Sequence, residues 1–202
     1  MKDNSLYIIP ARGGSKGIPR KNIKLLRGIP LIHYSIDIAR ELTDDAHIIV
    51  STDDDEIAEV ARQTGLPVEY MRPEYLATDT AGSREVIIDA MDYADAHGIK
   101  YDKVVLLQPT SPLRTVEDVE SCLSLYSPDI DMVVSVVEAS ANPYYNCFEG
   151  NPETGYLQVC KGNGQYTRRQ DAPQVWEYNG AVYVINPKSL RDMPMGQFSR
   201  KV

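Results

Sequence analysis

LYIIPARGGSKGIPRKN, residues 6–22, joins an apolar run to a loop that is rich in glycine and basic residues. The run Leu6 to Ala11 is typical of a buried strand. The loop, residues 12–20, follows the carboxyl end of that strand, which is where open α/β sheets bind ligands. Its glycines allow backbone N–H groups to approach phosphate oxygens closely. Basic side chains are concentrated here at Arg12, Lys16, Arg20 and Lys21. The pattern favours a triphosphate site over the alternative, a solvated basic loop.

The glycine spacing in this loop disfavours two common classes of nucleotide-binding protein. The GxxxxGK[ST] spacing of P-loop hydrolases is absent, and so is the GxGxxG pattern of Rossmann dehydrogenases. A different kind of phosphate-binding loop is therefore expected.

Short β-rich runs alternate with stretches of helical period along the chain, which predicts an α/β fold with a largely parallel sheet and helices on both faces. Further strands are predicted at residues 47–51, 68–71, 104–107 and 132–137. Helices are predicted to begin at Pro30, after a cap at Thr52 or Asp53, at Ser83, and after a cap at Thr115. We expect one domain over residues 1–202.

The alternation breaks down over residues 140–174, which are rich in Asn, Pro, Gly and Tyr. Short extended pieces such as residues 156–161 predict hairpins here. We interpret this segment as an excursion from the sheet that serves in dimerisation. Strand character returns over residues 175–185, around Asn179 and Gly180.

The composition limits the partners that the chain can have. The formal net charge is -8, so an acidic surface would repel both a nucleic-acid backbone and an anionic membrane. The three cysteines are widely spaced and form no disulfide or metal-binding pattern. The N-terminal apolar run is too short for a signal peptide, and no 18-residue apolar stretch follows. A soluble, cytoplasmic protein is expected.

Several motifs together resemble those of the CMP-sialic acid synthetases, or acylneuraminate cytidylyltransferases. IPARGGSKGIPRKNIK is similar to the first motif of the family, and four further matches follow in the family's order. They are RPEYLATDT at residues 72–80, LQPTSPLR at 107–114, RRQD at 168–171 and YNGA at 178–181. The resemblance covers residues 8–186 and includes the branch that activates legionaminic acid.

This resemblance implies a Rossmann-like nucleotidyltransferase fold, usually dimeric, in which the anomeric hydroxyl of the sugar attacks the α-phosphorus of CTP. The acceptor is expected to be N-acetylneuraminic acid or a close relative. Gln108 fits the sialic-acid branch better than the synthetases for the eight-carbon acid Kdo, which carry an aspartate motif at this strand end. Synthetases for pseudaminic acid match the later motifs less well.

The resemblance also implies a set of nucleotide-binding residues. Arg12, Lys16 and Lys21 are expected to grip the phosphates, and Lys21 is our first choice for a charge that acts in the transition state. Arg12 and Arg168 are the other expected catalytic residues. The full predicted nucleotide-binding set is Arg12, Gly13, Ser15, Lys16, Lys21, Asn22, Arg72 and Ser83.

Two members of this set have structural alternatives. Arg72 lies beside a proline turn and could be a surface residue. Ser83 could cap the helix that runs from Arg84, because serine is a favoured capping residue. A cap and a nucleotide contact are compatible, since a helix N-terminus suits an anion.

The sugar carboxylate calls for a cationic partner, and an arginine fork can hold a carboxylate through two parallel hydrogen bonds. The family resemblance puts one of Arg168 and Arg169 near the reaction centre, and we favour Arg168. A salt bridge from this motif to Asp171 is the structural alternative, and Asn179-Gly180 could equally be a tight hairpin turn. The predicted sugar-binding set is Gln108, Arg168, Arg169, Gln170, Tyr178 and Asn179.

Mg²⁺ is the cofactor that the family implies, held by an Asp-x-Asp pair beyond the last strand. The sequence up to Val202 contains no such segment, and we assign no metal ligand. The acidic clusters at residues 44–45 and 129–131 are expected to be solvated loops, and Asp53 is expected to cap a helix.

The missing segment leaves other interpretations open. The sequence can be part of a longer chain, or the protein can be a catalytically weak module that binds CTP or a CMP-sugar. Another enzyme class, a GT-A-type sugar-nucleotide transferase, would need an internal Asp-x-Asp. The helix-start position of residues 53–55 and the motif matches weigh against it.

Overall fold

The structure, a computed structural model, describes residues 4–14 and 17–202. Within them the strands are β1 (Ser5–Pro10), β2 (Leu25–Leu26), β3 (Ile29–Pro30), β4 (Ile48–Ser51), β5 (Lys103–Leu107), β6 (Met132–Glu138), β7 (Phe148–Gly150), β8 (Leu157–Val159) and β9 (Trp176–Ile185). The helices are α1 (Leu31–Leu42), α2 (Asp55–Arg62), α3 (Ser83–Ala96), α4 (Val116–Leu125) and α5 (Pro187–Asp192). The chain divides into a larger unit, Met1–Ser135 with Gly180–Val202, and a smaller unit, Val136–Asn179.

The main sheet has five strands in the order β4-β1-β5-β9-β6. β1 pairs in parallel with β4 on one side and with β5 on the other. β9 runs antiparallel to β5, with Val104 opposite Ile185 and Leu107 opposite Val182. The prediction of a largely parallel α/β sheet is confirmed for its central strands, and β9 makes the sheet mixed.

Helices cover both faces of this sheet, as predicted. In β1, Tyr7 and Ile9 belong to one buried cluster and Leu6 and Ile8 to the other, because successive side chains of a strand point to opposite faces. Helices α1, α2 and α4 contribute to the first cluster, and α3 and α5 contribute to the second. The apolar runs that predicted the strands therefore contribute to the core on both faces of the sheet.

The start of α2 corrects the predicted helix cap. Asp54, rather than Thr52 or Asp53, is the capping residue, and its side chain accepts hydrogen bonds from the backbone N–H groups of Glu56 and Ile57. Asp53 instead accepts a hydrogen bond from Gly13 N at 3.0 Å. Because residues 53–55 are all aspartates, the sequence alone could not show which of them caps the helix. The predicted cap at Thr115 is confirmed, and Asp118 completes a capping box with it.

The strand predicted at residues 68–71 is wrong. Val68 and Tyr70 are buried while Glu69 and Met71 are exposed, so the side chains do alternate as in a strand. However, the segment forms no ladder with β4, and one hydrogen bond from Arg72 N to Thr52 O, at 2.7 Å, joins its end to the residue after that strand. Alternating apolar and polar residues indicate that one face of the segment is buried. An extended segment that makes no strand-to-strand hydrogen bonds can have such a face as well.

The expectation that residues 129–131 form a solvated loop is wrong for Asp131. Its carboxylate is buried and accepts hydrogen bonds from Ser189 Oγ at 2.7 Å and from the backbone N–H groups of Ser199 and Arg200. These donors, the Arg200 backbone first, lower the pKa of Asp131 to about 2. Asp131 therefore fixes residues 199–200 beside the start of β6.

The smaller unit contains the short antiparallel hairpin β7–β8, with Phe148 opposite Val159, so hairpin structure in this segment is confirmed. Asn142 organises the turn before it, because its side chain accepts from Tyr144 N and donates to Pro173 O. β9 runs without interruption through Asn179 and Gly180, so the alternative of a tight hairpin turn there is wrong. Gly180 has a φ of 76°, which explains the glycine inside this strand.

The described residues include no helix that is both long and apolar enough to cross a bilayer.

Candidate nucleotide-binding site

A cavity of about 660 Å³ opens in the larger unit beyond the carboxyl ends of the parallel strands β1 and β5. This is the edge at which open α/β sheets bind ligands. The cavity brings together the predicted residues Arg12, Lys21, Asn22, Arg72, Ser83 and Gln108. Gly13 is not part of the cavity wall, and the predicted residues Ser15 and Lys16 lie outside the described residues.

Arg12 lies at the cavity where the chain leaves β1. Its Nη1 donates to Asp79 Oδ1 at 2.8 Å, and both side chains are partly exposed. Its backbone carbonyl accepts a hydrogen bond from Asn22 Nδ2 at 3.0 Å, and Asn22 itself is buried. Asn22 is thereby a brace between the first residue of the glycine-rich loop and the short 3₁₀ helix Lys21–Ile23 that follows it.

The loop is also joined to the turn between β4 and α2. Gly13 N donates to Asp53 Oδ1, and the Arg20 guanidinium donates to both oxygens of Asp54 and to Glu56. The hydrogen bond from Arg20 is the largest cause that holds the pKa of Asp54 below its ordinary value. Arg20, one of the four basic residues from Arg12 to Lys21, is thus paired with carboxylates in this structure.

Arg72 is buried, at 6% exposure, so the alternative of a surface residue is wrong. Its Nε donates to Ser51 Oγ at 3.0 Å and its Nη2 to Ser51 O at 2.6 Å, which holds the side chain across the end of β4. Burial lowers the pKa of Arg72, although the nearby Tyr70 and Asp53 act in the opposite direction. Arg12 and Arg72 both line this cavity.

Ser83 is the first residue of α3 rather than its cap, so the capping alternative is wrong. The capping position is Gly82, and no side chain makes a capping hydrogen bond there. Ser83 lies in the cavity wall together with apolar side chains from the same helix. The apolar part of the wall, which the sequence did not identify, includes Pro10, Leu76, Val86, Ile87 and Leu106. These residues lie within or after predicted core elements, and that position was the sequence feature from which they could have been predicted.

Gln108 follows β5 and lies in the cavity wall as predicted. A side chain at Gly180 would come within 3.2 Å of Gln108 Oε1, so glycine leaves room for the amide. Arg114 ends the motif LQPTSPLR and contacts the backbone of Gln108, and the sequence predicted no role for it. This arginine is buried and donates to Gln108 O at 3.3 Å, to Ala181 O at 2.7 Å and to Ser35 Oγ at 2.7 Å. Burial lowers the pKa of Arg114 to about 10.

The other predicted sugar-binding residues belong to the smaller unit. Arg168 donates to Asp171 through Nε at 2.7 Å and Nη2 at 2.9 Å, which is the salt bridge considered as the structural alternative. Arg169 donates to Ala139 O and lines, with Gln170, a cavity of about 250 Å³. Tyr178 and Asn179 lie in β9, and Tyr178 is half exposed. Sugar binding by all of these residues stays a prediction.

The described residues do not fit a resident Mg²⁺ ion. No group of three or more His, Cys, Asp or Glu side chains among them could hold a metal. Asp79 is the carboxylate in the wall of the larger cavity, and it is paired with Arg12. Mg²⁺ usually takes one or two protein carboxylates together with substrate phosphates, and this donor set is poor because its one carboxylate is already paired with Arg12.

This chain is similar to cytidylyltransferases both in sequence and in structure. The cytidylyltransferase family profile matches residues 6–174. The CMP-N,N'-diacetyllegionaminic acid synthase of Legionella pneumophila is 41% identical over 185 residues, which are 92% of this chain and 79% of the relative. An N-acylneuraminate cytidylyltransferase of Streptococcus agalactiae is 38% identical over 91% of this chain, but the match spans only 44% of that longer protein.

A solved structure of CMP:2-keto-3-deoxy-manno-octonic acid synthetase complexed with CTP covers 94% of this chain with a TM-score of 0.67 and 20% identity. The match extends over 77% of that chain and confirms the Rossmann-like nucleotidyltransferase fold. The profile match and the sequence relatives confirm the predicted family. The chain belongs to the cytidylyltransferase family of nucleotidyltransferases.

Proposed function

We propose that this protein transfers a cytidylyl group from CTP to a nonulosonic acid, N-acetylneuraminic acid or a close relative such as a legionaminic acid, and releases pyrophosphate. The observation that carries the proposal is the cavity beyond β1 and β5, which gathers Arg12, Lys21 and Arg72 in a chain of net charge -8. Its volume of about 660 Å³ lies in the range of small-molecule sites. The identities to sialic-acid-type and legionaminic-acid-type enzymes support the choice of sugar class.

The chemistry that this cavity would perform is in-line displacement at the α-phosphorus. The sugar hydroxyl forms the new P–O bond, the bond to the β-phosphate oxygen breaks, and the hydroxyl proton leaves to solvent or a base. Negative charge builds on the α-phosphoryl oxygens and on pyrophosphate. We propose that Arg12 and Lys21 stabilise that charge because they are held at the cavity before the reaction.

For the nucleoside we propose the part of the cavity between Arg72 and α3. A flat base can pack against Val86, Ile87 and Leu106, while Arg72 and Ser83 offer hydrogen-bond donors beside that apolar surface. The fixed position of the Arg72 guanidinium on Ser51 supports this assignment, because a preorganised donor loses little freedom on binding.

For the acceptor we propose candidate residues in each unit taken by itself: Gln108 in the larger unit, and residues 168–170 with Tyr178 and Asn179 in the smaller unit. The fork of Arg168 already holds the Asp171 carboxylate through two hydrogen bonds, which is the geometry that a sugar carboxylate would require. A sugar acid would compete with Asp171 for this fork. Either Arg168 or Arg169 would then be the arginine nearest the reaction.

Mg²⁺ stays a proposal without protein ligands in the described residues. We propose that the ion accompanies the triphosphate and is held mainly by phosphate oxygens. We also propose that the protein acts in the cytoplasm and that nucleic acids are not partners, since the net charge of -8 opposes their binding.

We propose further that the smaller unit pairs with the same unit of a second copy to form a homodimer. Phe148 and Leu157 lie on one face of the β7–β8 hairpin and are 56% and 74% exposed. Exposed apolar side chains on so small a unit are typical of an interface. Leu157→Glu is expected to shift the mass measured by light scattering from dimer to monomer. Gln158→Lys, on the opposite face of the hairpin, is the control, and a monomeric parent protein would contradict the proposal.

The test of the activity is pyrophosphate release from CTP with N-acetylneuraminic acid or a legionaminic acid, for the parent protein and two lysine variants. Lys21→Ala is expected to lower kcat by about 100-fold or more if its charge acts in the transition state. Lys24→Ala, an exposed neighbour outside the cavity wall, is expected to leave kcat unchanged. CTP binding without turnover for either sugar would favour the binding-module alternative.

A further inference from the structure

We infer that the acidic turn between β4 and α2, defined here as Asp53 and Asp54, is a positioning element that holds Arg12 and Lys21 for phosphate binding, and that Arg20 serves it as a positioning residue. The inference rests on the proposed function, because it assigns a purpose to the residues around the same cavity. Neither Asp53 nor Asp54 lies in the cavity wall, but hydrogen bonds connect them to Gly13 and Arg20, the neighbours of the two cations in that wall.

The first contact fixes the residue after Arg12. Gly13 N donates to Asp53 Oδ1 at 3.0 Å, which sets the direction of the chain as it leaves β1. The approach is close: a Cβ on Gly13 would lie 2.6 Å from Asp54 Oδ2 and 3.0 Å from Asp54 Cβ. Only glycine permits this approach, so the position of the turn and the identity of residue 13 belong together.

The second contact fixes the residue before Lys21. The Arg20 guanidinium donates through Nη1 to Asp54 Oδ2, through Nη2 to Asp54 Oδ1 at 3.0 Å, and to Glu56. A two-pronged pair of this kind fixes orientation as well as distance. Arg20 also has a φ of 56°, an uncommon conformation for a residue with a side chain. The chain therefore turns at Arg20 in a way that this ion pair supports.

The acidic turn is itself anchored. Asp54 Oδ1 accepts the backbone N–H groups of Glu56 and Ile57 at 3.0 Å each, and Ile57 is buried in the core. One carboxylate thus caps α2 and orients Arg20 at the same time. Because α2 is packed against the sheet, the contacts of Gly13 and Arg20 connect the loop to the core of the larger unit.

The two contacts act on the two cations of the cavity. Gly13 is adjacent to Arg12 and Arg20 is adjacent to Lys21, while Asn22 Nδ2 joins the two sides through Arg12 O at 3.0 Å. Arg20 already has two carboxylate partners, so its charge is compensated locally. Loss of the pair would let Lys21 move relative to Arg12.

The variant that separates positioning from stability is Asp54→Asn. Asparagine is as good a helix cap as aspartate, so α2 should keep its N-terminus, whereas the charged fork to Arg20 is lost. Arg20→Met removes the same pair from the other side. Glu59→Gln, which alters an exposed carboxylate elsewhere on α2, is the matched control.

Calorimetry of CTP and of cytidine binding to the full chain, together with thermal unfolding, tests the inference. Asp54→Asn and Arg20→Met are each expected to raise the Kd of CTP by about fivefold or more, and the double variant by no more than the larger single effect. The Kd of cytidine, which has no phosphates, should stay within about twofold for every variant, since the base contacts are untouched.

Equal weakening of CTP and cytidine would show a general structural role and overturn the inference, as would CTP binding by Asp54→Asn at the parent affinity. A parent protein that binds CTP but releases no pyrophosphate with either sugar would contradict the proposed function while leaving the binding comparison decisive for the acidic turn. A parent protein without CTP affinity would contradict both.

Discussion

Asp79 is predicted to compete with the triphosphate of CTP for Arg12. Its Oδ1 accepts from Arg12 Nη1 at 2.8 Å in the wall of the cavity. Any nucleotide that uses Arg12 as a phosphate contact has to displace or share this carboxylate. The substitution Asp79→Asn removes the competing charge but keeps the size of the side chain, and we expect it to tighten CTP binding.

The expected size of the effect follows from the exposure of the pair. The two side chains are 34% and 46% exposed, so water and salt screen their attraction, and such pairs contribute about 0.2–1 kcal/mol. In Asp79→Asn this ion pair no longer has to be broken when CTP binds. The Kd of CTP is therefore expected to fall by about 1.4-fold to fivefold. The gain should shrink at high ionic strength because the Debye length falls to about 3 Å at 1 M salt.

The assay is calorimetric titration of CTP into the parent protein, Asp79→Asn and Asp79→Glu, at low and at high salt. The glutamate variant retains the charge and is expected to bind CTP within about twofold of the parent, since the ion pair can re-form. If Asp79→Asn binds CTP more weakly than the parent protein, Asp79 contributes to nucleotide binding and the competition is refuted.

Three further predictions concern the framework of the site, each read by denaturant or thermal unfolding. Arg114→Met should lower the free energy of unfolding by about 2–4 kcal/mol, because Ala181 O, Gln108 O and Ser35 Oγ lose a buried donor; an unchanged stability would contradict this. Gly180→Ala should cost about 1–2 kcal/mol, since alanine at a φ of 76° is strained, and wild-type stability would show that the strand relaxes. The pKa of Asp131 is about 2 in the folded protein, below its ordinary value of about 3.9. The ionised carboxylate therefore stabilises the fold above pH 4, and this stabilisation is lost as the pH falls toward 2. Asp131→Asn should therefore flatten the stability profile in this window, and a profile as steep as that of the parent would refute the assignment.

Much of the fold was predictable because burial leaves a direct mark on sequence. The run Val104 to Leu107 is apolar throughout, and the strand it predicted is covered on both faces. Segment 68–71 also shows a burial pattern in its sequence, but it does not pair with a strand. Alternation of side chains carries no information about which backbone groups form hydrogen bonds. Local pattern thus predicts which side chains are buried more securely than which hydrogen bonds form.

The gathering of site residues was predictable for a topological reason. Arg12 and Gln108 follow parallel strands, and the carboxyl ends of parallel strands meet at one edge of a sheet. Pairings between distant segments were not predictable. Nothing in the residues around Arg20 indicates that Asp54 will be its partner, and nothing around Asp131 indicates that residues 199–200 return to it. These contacts are set by the packing of whole elements.

The measurement that tests the central claim most directly is identification of the product formed from CTP and N-acetylneuraminic acid, or a legionaminic acid, by mass spectrometry with parallel pyrophosphate quantification. We expect a CMP-sugar and pyrophosphate in equal amounts, formed only when both substrates are present and formed about 100-fold or more slowly by Lys21→Ala. Pyrophosphate without a CMP-sugar, or a sugar product that carries a different nucleotide, would contradict it.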